Sequence, residues 1–272
     1  MTAAADGGRA ETLNWVVELA GEAAQVATTM LARGMTVDAK AGGELVTDID
    51  RAVERLVRDA LRARFPGHAI LGEEYGREGA TDAGTPLWAI DPIDGTNNLA
   101  NGLPIWAISI ALIENEDVTV GVLHAPLLRE VYAAGLGLGA TLNGEALPPL
   151  APGGPVAWED TYGLCTTSVR TRDFSRLEAR LRVPGSAALD LAWVAAGRLR
   201  GTQSIGTDIY DVAAGLCLCR ETGCETIWLD SGEAYSPREH AANGGRDNDT
   251  LLTAPPATLA FLRERLAPIP AS

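Results

Sequence analysis

The chain has 272 residues, of which 46% are hydrophobic and 21% charged, a composition typical of a globular protein with a substantial core. Its 22 Lys and Arg against 36 Asp and Glu leave a net charge of −14, which disfavours nucleic acid and anionic membrane surfaces as partners. The amino-terminal residues show no signal-peptide pattern, and the chain has no uninterrupted run of about 18 apolar residues. We therefore expect a cytoplasmic protein that does not enter a membrane.

The four cysteines do not have the paired spacing of a zinc site, and the chain has only three histidines to complete one. Cys217 and Cys219 lie in an apolar run that resembles a helix, so we interpret them as small core residues.

The first third of the chain predicts two helices. Residues 12–33 carry apolar side chains at mixed spacings of three and four, which favours an amphipathic helix after a disordered start. Residues 35–46 break this periodicity and are typical of a loop or short hairpin. A second helix is predicted from Asp48, with Thr47 as its N-cap and Pro66-Gly67 as its end.

Short apolar runs then predict a sheet. Residues 69–72 and 87–90 look like buried strands that deliver acids at their ends, Glu73-Glu74 and Asp91 respectively. Four further strands, the first two of them a hairpin, are predicted at residues 105–113, 117–124, 130–135 and 140–144.

The segment LPPLAPGGP, residues 147–155, is the clearest break in the chain and predicts a subdomain boundary. We expect residues 1–146 to form a β-rich subdomain with two helices and the main metal and phosphate motif. Residues 147–272 alternate strand and helix signals, which favours an α/β subdomain. The pattern alone supports mixed α and β structure and no particular fold.

One motif indicates chemistry. In residues 86–104, PLWAIDPIDGTNNLANGLP, a buried strand ends at Asp91, Pro92 favours an extended backbone there, and Asp94 follows. A tight Asp-Pro-Ile-Asp turn would bring the two carboxylates and the Ile93 carbonyl around hard cations. Gly95 and Thr96 would then offer backbone N–H groups to an anion at a helix start. Metals beside a phosphate site predict phosphoryl chemistry.

Asp-Gly-Thr alone is a common turn, but the full string DPIDGTNN followed by GLP resembles the signature of the inositol monophosphatase family. Further segments, found in the family's order over roughly residues 12–230, are similar to its other motifs: Leu45-Val46-Thr47 with Asp50, Gly72-Glu73-Glu74, Gly185-Ser186-Ala187, and GTDIYDVAAG at 206–215 around Asp211. Taken singly, Glu73-Glu74 could be a solvated strand end, Asp211 a helix N-terminal acid, and Gly185-Ser186 an ordinary cap. Their common order favours the family.

The resemblance implies about two or three Mg²⁺ per active site. One is expected to be held by Glu73, Asp91 and the Ile93 carbonyl, and a second by Asp91, Asp94 and Asp211. Glu73 and Thr96, with Asp50 behind Thr96, are the implied catalytic residues that orient the attacking water. The implied substrate-binding residues are Ile93, Asp94, Gly95, Thr96, Gly185, Ser186, Ala187, Ser204 and Asp211.

Two departures from the family pattern affect specificity. Lys40 is the candidate for a lysine in the family's mobile loop, but two glycines follow it and it aligns only with a gap. Ser204 stands where inositol-specific members have an acid, seven residues before the metal-binding aspartate. This difference leaves the contact with the alcohol open.

The resemblance implies the layered αβαβα sandwich of the inositol monophosphatase and fructose-1,6-bisphosphatase type, assembled as a homodimer. We expect a Mg²⁺-dependent phosphatase for a small phosphate monoester, with inositol 1-phosphate as the leading substrate. The alternatives are a histidinol-phosphate or fructose 1,6-bisphosphate phosphatase, or a non-catalytic protein that binds metal or a phosphorylated ligand. A nucleotide substrate is less favoured because no basic cluster lies near the motifs.

Overall fold

The computed structural model describes residues 3–39, 45–80, 82, 84–244 and 249–268. The helices of this part of the chain are α1 Ala3–Arg33, α2 Asp48–Arg64, α3 Thr96–Ala100, α4 Thr166–Thr171, α5 Ala187–Ala195, α6 Ile209–Glu221, α7 Pro237–Asn243 and α8 Pro256–Arg263. The strands are β1 Val37–Ala39, β2 Leu45–Thr47, β3 Ala69–Gly72, β4 Gly76–Glu78, β5 Leu87–Asp94, β6 Ala107–Glu114, β7 Asp117–Ala125, β8 Glu130–Gly135, β9 Gly139–Leu142, β10 Glu145–Ala146, β11 Thr161–Leu164, β12 Arg172–Asp173, β13 Arg180–Arg182, β14 Thr202–Ile205, β15 Glu225–Trp228, β16 Thr250–Ala254 and β17 Ala267–Pro268. None of these helices is long and apolar enough to span a membrane.

The two predicted amino-terminal helices are present, but α1 begins at Ala3, so the prediction of a disordered start was wrong. Helix α2 begins as predicted, with Thr47 as N-cap in a capping box completed by Asp50. The short hairpin between the helices is also confirmed, since β1 and β2 pair antiparallel from Val37 opposite Thr47. Lys40 lies outside the described residues.

The large sheet has eight strands in the order β10-β9-β8-β7-β6-β5-β3-β4. It contains the six predicted strands, the predicted hairpin of β6 and β7, and two short strands that were not predicted, β4 and β10. All neighbours are antiparallel except β3 and β5, which run parallel. Parallel strands end at the same edge of a sheet. The acids that follow β3 and end β5 therefore meet at one edge.

Strand β5 is buried along its whole length because helices cover both faces of the sheet. Trp88 and Ile90 pack in a core with side chains of α1 and α2. Leu87 and Ala89, which point to the opposite face, pack with α5 and α6. The period-two alternation of a strand thus sends neighbouring residues into two different cores.

The second sheet has five strands in the order β13-β11-β14-β16-β15. Trp228 of β15 and Leu251 of β16 join the core that contains α5 and α6, while Leu252 faces α8 on the outer side. The layers are therefore α1 and α2, the large sheet, α5 and α6, the small sheet, and α8. This order confirms the predicted αβαβα sandwich. The division into subdomains at residues 146 and 147 stays a prediction.

The Asp-Pro-Ile-Asp segment is not a turn, which corrects the sequence prediction. It continues β5, and the pairing with β6 shifts between Asp91 opposite Ser109 and Asp94 opposite Ala107. Three steps along β5 thus match two along β6, which is a β-bulge. Pro92 suits such a place because it has no N–H to give to the ladder.

Candidate active site

Glu73 and Asp91 lie side by side because β3 and β5 are parallel neighbours. Gly72 is opposite Ile90 in the ladder, so the next residue on each strand is one of these acids. The backbone N–H of Glu73 donates to the Ile90 carbonyl at 3.2 Å, which extends the pairing to the acid itself.

The bulge in β5 fixes the carboxylate and carbonyl oxygens of the DPID segment. Asp91 Oδ1 accepts a hydrogen bond from the Ile93 N–H at 2.9 Å. The Ile93 carbonyl in turn accepts from the Thr96 hydroxyl at 2.9 Å. Because the bulge adds one residue to β5, it gathers Asp91, the Ile93 carbonyl and Asp94 into one compact segment.

Gly95 links the bulge to α3 in a conformation that favours glycine. Its φ is +97°, and a Cβ at this position would lie 2.9 Å from the Ile105 carbonyl oxygen. Helix α3 begins directly after it, at Thr96. The predicted helical start after Asp94 is therefore confirmed, while phosphate binding by Gly95 and Thr96 stays a prediction.

Asp50 and Thr96 are in direct contact although 46 positions separate them. The Thr96 hydroxyl lies 3.0 Å from Asp50 Oδ1, and Asp50 Oδ2 accepts from the Thr47 N–H at 2.9 Å and from the Thr47 hydroxyl. Asp50 is fully buried, and this burial raises its pKa, with the hydrogen bonds from Thr47 and Thr96 acting in the opposite direction. The first turn of α2 thus anchors the hydroxyl of Thr96.

Asp94 connects the bulge to the amino-terminal end of α5. Its carboxylate accepts hydrogen bonds from the Ser186 hydroxyl, from the Ala188 N–H at 2.9 Å and from the Ala187 N–H at 3.3 Å. Burial raises the pKa of Asp94 to about 6, although these hydrogen bonds act to lower it. Two of the predicted substrate-binding residues, Ser186 and Ala187, therefore hold a predicted metal ligand.

Asp211 occupies the third position of α6, where it completes a capping box: its Oδ2 accepts from the Asp208 N–H at 2.8 Å. Both interpretations of Asp211 raised by the sequence, a helix-terminal acid and an acid of the site, agree with its position. Burial raises its pKa well above the usual value, and the nearby charges of Asp94 and Glu73 add to the effect.

The predicted metal-binding carboxylates repel one another. The pKa of Asp91 is raised well above its usual value, first by burial and then by the charges of Glu73, Asp94, Asp211 and Asp50. A group of buried and half-buried acids with this mutual repulsion, made only of hard oxygen donors, fits a divalent cation such as Mg²⁺.

The closest carboxylate group among the described residues differs in part from the predicted set. One oxygen each from Asp50, Glu73 and Glu74 lies within 4.8 Å of the others, a spacing that could hold a metal ion. Glu74 was not predicted as a site residue. The sequence placed it in the Gly72-Glu73-Glu74 segment that is similar to a family motif, but a neighbour in a strand ordinarily points the other way.

A cavity of about 260 Å³ adjoins Asp94 through Ser186. Its lining contains four predicted substrate-binding residues: Gly185, Ser186, Ala187 and Ser204. Cys165, Thr166, Thr167, Asp190 and Thr202 also line it, and sequence reasoning missed all five. They come from α4 and the residue before it, from α5 and from β14, and they belong to no recognisable motif, so only the fold brings them together.

Comparisons with known proteins identify the family of the chain. A model of the inositol monophosphatase family matches residues 9–256. The inositol-1-monophosphatase of Synechocystis sp. is 38% identical over 241 residues, which cover 83% of this chain and 81% of that protein. Nus factor SuhB of Escherichia coli strain K12 is 37% identical over 236 residues, which cover 81% of this chain and 87% of that protein. Among solved structures, an IMPase of Thermotoga maritima superposes with a TM-score of 0.79 at 30% identity, covering 93% of this chain and 96% of that one.

A layered αβαβα sandwich that gathers buried carboxylates at one sheet edge defines a metal-dependent phosphatase that hydrolyses phosphoric monoesters. The chain belongs to the inositol monophosphatase family. The predicted family, fold and class of enzyme are thereby confirmed. The roles of individual site residues stay predictions.

Proposed function

We propose that this chain hydrolyses a small phosphate monoester with Mg²⁺ as cofactor, and that inositol 1-phosphate is its leading substrate. The observation that carries the proposal is the cluster of buried and half-buried carboxylates, in which the pKa values of Asp91, Asp94 and Asp211 are all raised. The inositol-1-monophosphatase of Synechocystis supports the choice of substrate.

Glu73, Asp91, the Ile93 carbonyl, Asp94 and Asp211 would hold about two or three Mg²⁺. When bound, the cations would supply Lewis-acid activation and neutralise charge that develops on the phosphoryl group. Their positive charge would also offset the repulsion that raises the pKa of Asp91. Ser186 and the start of α5 would keep Asp94 oriented towards the cluster.

Asp50 and Thr96 would orient the attacking water. The Thr96 hydroxyl can donate its single hydrogen to Asp50 Oδ1 at 3.0 Å or to the Ile93 carbonyl at 2.9 Å, and in either case lone pairs on Thr96 Oγ1 remain to accept from water. Glu73 would accept the second hydrogen of that water. Two acceptors in fixed positions would direct the water oxygen at phosphorus.

The two sides of the substrate would be bound by different segments. The backbone N–H groups of Gly95 and Thr96 would bind the phosphate oxygens. The alcohol would occupy the cavity beside Ser186, where Ser204 offers a neutral hydroxyl in place of an acid. We therefore propose broad acceptance of alcohols, with histidinol phosphate and fructose 1,6-bisphosphate as the alternative substrates.

The test is phosphate release from inositol 1-phosphate, histidinol phosphate, fructose 1,6-bisphosphate and glycerol phosphate, each with Mg²⁺ and with chelator. We expect release that requires Mg²⁺ and is fastest with inositol 1-phosphate. Release that is equal in chelator would refute the metal assignment, and a strong preference for another ester would replace the proposed substrate.

A second function is a binding role without turnover, because several relatives are named Nus factor SuhB. No release from any ester, together with Mg²⁺ binding measured by calorimetry, would favour that role.

We also propose a homodimer. Trp158, Leu103 and Val183 are 65%, 49% and 46% exposed, so apolar surface remains for a second copy to cover. Light scattering behind size exclusion would test this, with a mass of one chain as the contradicting result.

A further inference from the structure

The turn that carries Glu73 rests on a buried carboxylate from α2, that of Glu54. Glu54 is 0% exposed and lies one helical turn after Asp50. Its Oε2 accepts a hydrogen bond from the Glu74 N–H at 2.7 Å, and its Oε1 accepts from the Tyr75 N–H at 3.2 Å. The same side chain therefore binds the two backbone N–H groups that follow Glu73.

Arg58 binds both the Glu54 carboxylate and the turn that follows Glu73. Its Nε donates to Glu54 Oε1 at 2.7 Å, and the two side chains are 2% and 0% exposed. The Arg58 guanidinium also donates to the Gly76 carbonyl and, at 3.0 Å, to Glu78 Oε2. The turn between β3 and β4 is thus fixed to α2 by a buried ion pair rather than by its own backbone alone.

Gly72 makes the close approach of Glu54 feasible. A Cβ on Gly72 would lie 2.1 Å from Glu54 Oε1, which no side chain could tolerate without displacing the carboxylate. Gly72, directly before Glu73, therefore leaves room for the Glu54 carboxylate, and Glu74 and Tyr75, directly after Glu73, donate hydrogen bonds to it.

We propose that Glu54 is a positioning residue for the metal site. Its carboxylate binds the two backbone N–H groups after Glu73 and packs closely against Gly72 before it, so that the Glu73 side chain stays among Asp50, Glu74 and Asp91. The inference rests on the proposed function, in which Glu73 binds metal. Glu54 itself touches neither the metal nor the substrate.

Both oxygens of Glu54 are needed, which makes Glu54→Gln a sharp test. Three N–H donors converge on them: Arg58 Nε and Tyr75 N on Oε1, and Glu74 N on Oε2. A glutamine has one acceptor oxygen and places an NH₂ group against the remaining donors. In either orientation of the amide, the turn or the arginine loses its partner, while the size of the side chain is kept.

The experiment measures metal affinity directly, by calorimetric titration with Mn²⁺, beside the Mg²⁺ concentration for half-maximal phosphate release. For Glu54→Gln we expect both to weaken by about 10-fold or more, the range typical of residues that orient metal ligands. The KM for substrate at saturating Mg²⁺ should stay within about twofold, because substrate contacts are unchanged. Hydrogen exchange at the Glu74 and Tyr75 amides should become faster.

The matched control is Val57→Ala, which removes apolar volume from a fully buried position of the same helix. We expect it to lower the melting temperature and leave Mn²⁺ affinity unchanged. Should Glu54→Gln fail to fold, Gly72→Ala, which displaces the Glu54 carboxylate, should give the same loss of affinity.

Wild-type Mn²⁺ affinity in Glu54→Gln, or an equal loss in Val57→Ala, would overturn the inference. Weaker Mn²⁺ binding in Glu54→Gln would support it even if the wild type released no phosphate, in which case only the proposed activity fails. A wild type that binds no divalent cation would overturn both.

Discussion

Removal of metal should make the stability of this protein fall as the pH rises, because its buried acids are easier to protonate than those of the unfolded chain. Asp94, which is 8% exposed, has a pKa of about 6 in place of the usual 3.8. Between these values the unfolded chain has lost the proton that the folded protein still holds, so the free energy of unfolding decreases with pH. A difference of about 2 pKa units at about 1.4 kcal/mol each gives a loss of about 3 kcal/mol from Asp94 alone.

The raised pKa values of Asp91 and Asp211 add losses of the same sign. His68 and His124 act in the opposite direction, because burial lowers their pKa values and their contribution to stability grows as the pH rises towards about 6.5. The histidines contribute equally with and without metal. The difference between the two conditions therefore isolates the carboxylate site.

The assay is urea denaturation from about pH 4 to about pH 7.5, once with chelator and once with saturating Mg²⁺, at matched ionic strength. We expect the two free-energy curves to separate as the pH rises through about 6, with the Mg²⁺ curve higher by at least about 3 kcal/mol at neutral pH. Parallel curves across this range would refute the assignment of these acids to a cation site.

Three further substitutions test separate parts of the site. Thr96→Val keeps the shape of the side chain but removes the hydroxyl that lies 3.0 Å from Asp50 Oδ1. We expect kcat to fall about 100-fold with Mg²⁺ affinity unchanged, and an unaltered kcat in steady-state kinetics would contradict the role of Thr96. Gly95→Ala places a Cβ 2.9 Å from the Ile105 carbonyl oxygen at a φ of +97°. In urea denaturation we expect the free energy of unfolding to fall by about 1–3 kcal/mol, and a variant as stable as the wild type would contradict the tight packing of Gly95. Ser204→Glu should improve kcat/KM for inositol 1-phosphate relative to glycerol phosphate by a factor equivalent to about 1–3 kcal/mol; a ratio that does not move would mean that other residues recognise the alcohol.

Local signals in the sequence predicted the elements that depend on local physics. Thr47 and the apolar period after it predicted α2, because a cap and an amphipathic face act within the helix itself. The buried strands before Glu73 and Asp91 were predicted in the same way. Their parallel pairing, which sets the two acids side by side, needed the sheet.

Features that arise from distant pairing could not be predicted. The bulge at Asp91 to Asp94 exists only because β6 pairs with β5 in that register, so the segment alone suggested a turn. The apolar spacing of α2 gave no reason to single out Glu54, since its partners are backbone groups about 20 residues away. The cavity residue Asp190 likewise faces strands whose order the sequence does not reveal.

The most direct test of the central claim is phosphate release from inositol 1-phosphate by Asp91→Asn at saturating Mg²⁺, with the wild type measured beside it. Asparagine keeps the oxygen that accepts from the Ile93 N–H at 2.9 Å, so the variant should fold, and it removes the charge that the cations would share. We predict a loss in kcat/KM of at least about 1,000-fold, equivalent to about 4 kcal/mol. Activity within about tenfold of the wild type in a folded Asp91→Asn variant would contradict the proposal that Asp91 holds the metal ions.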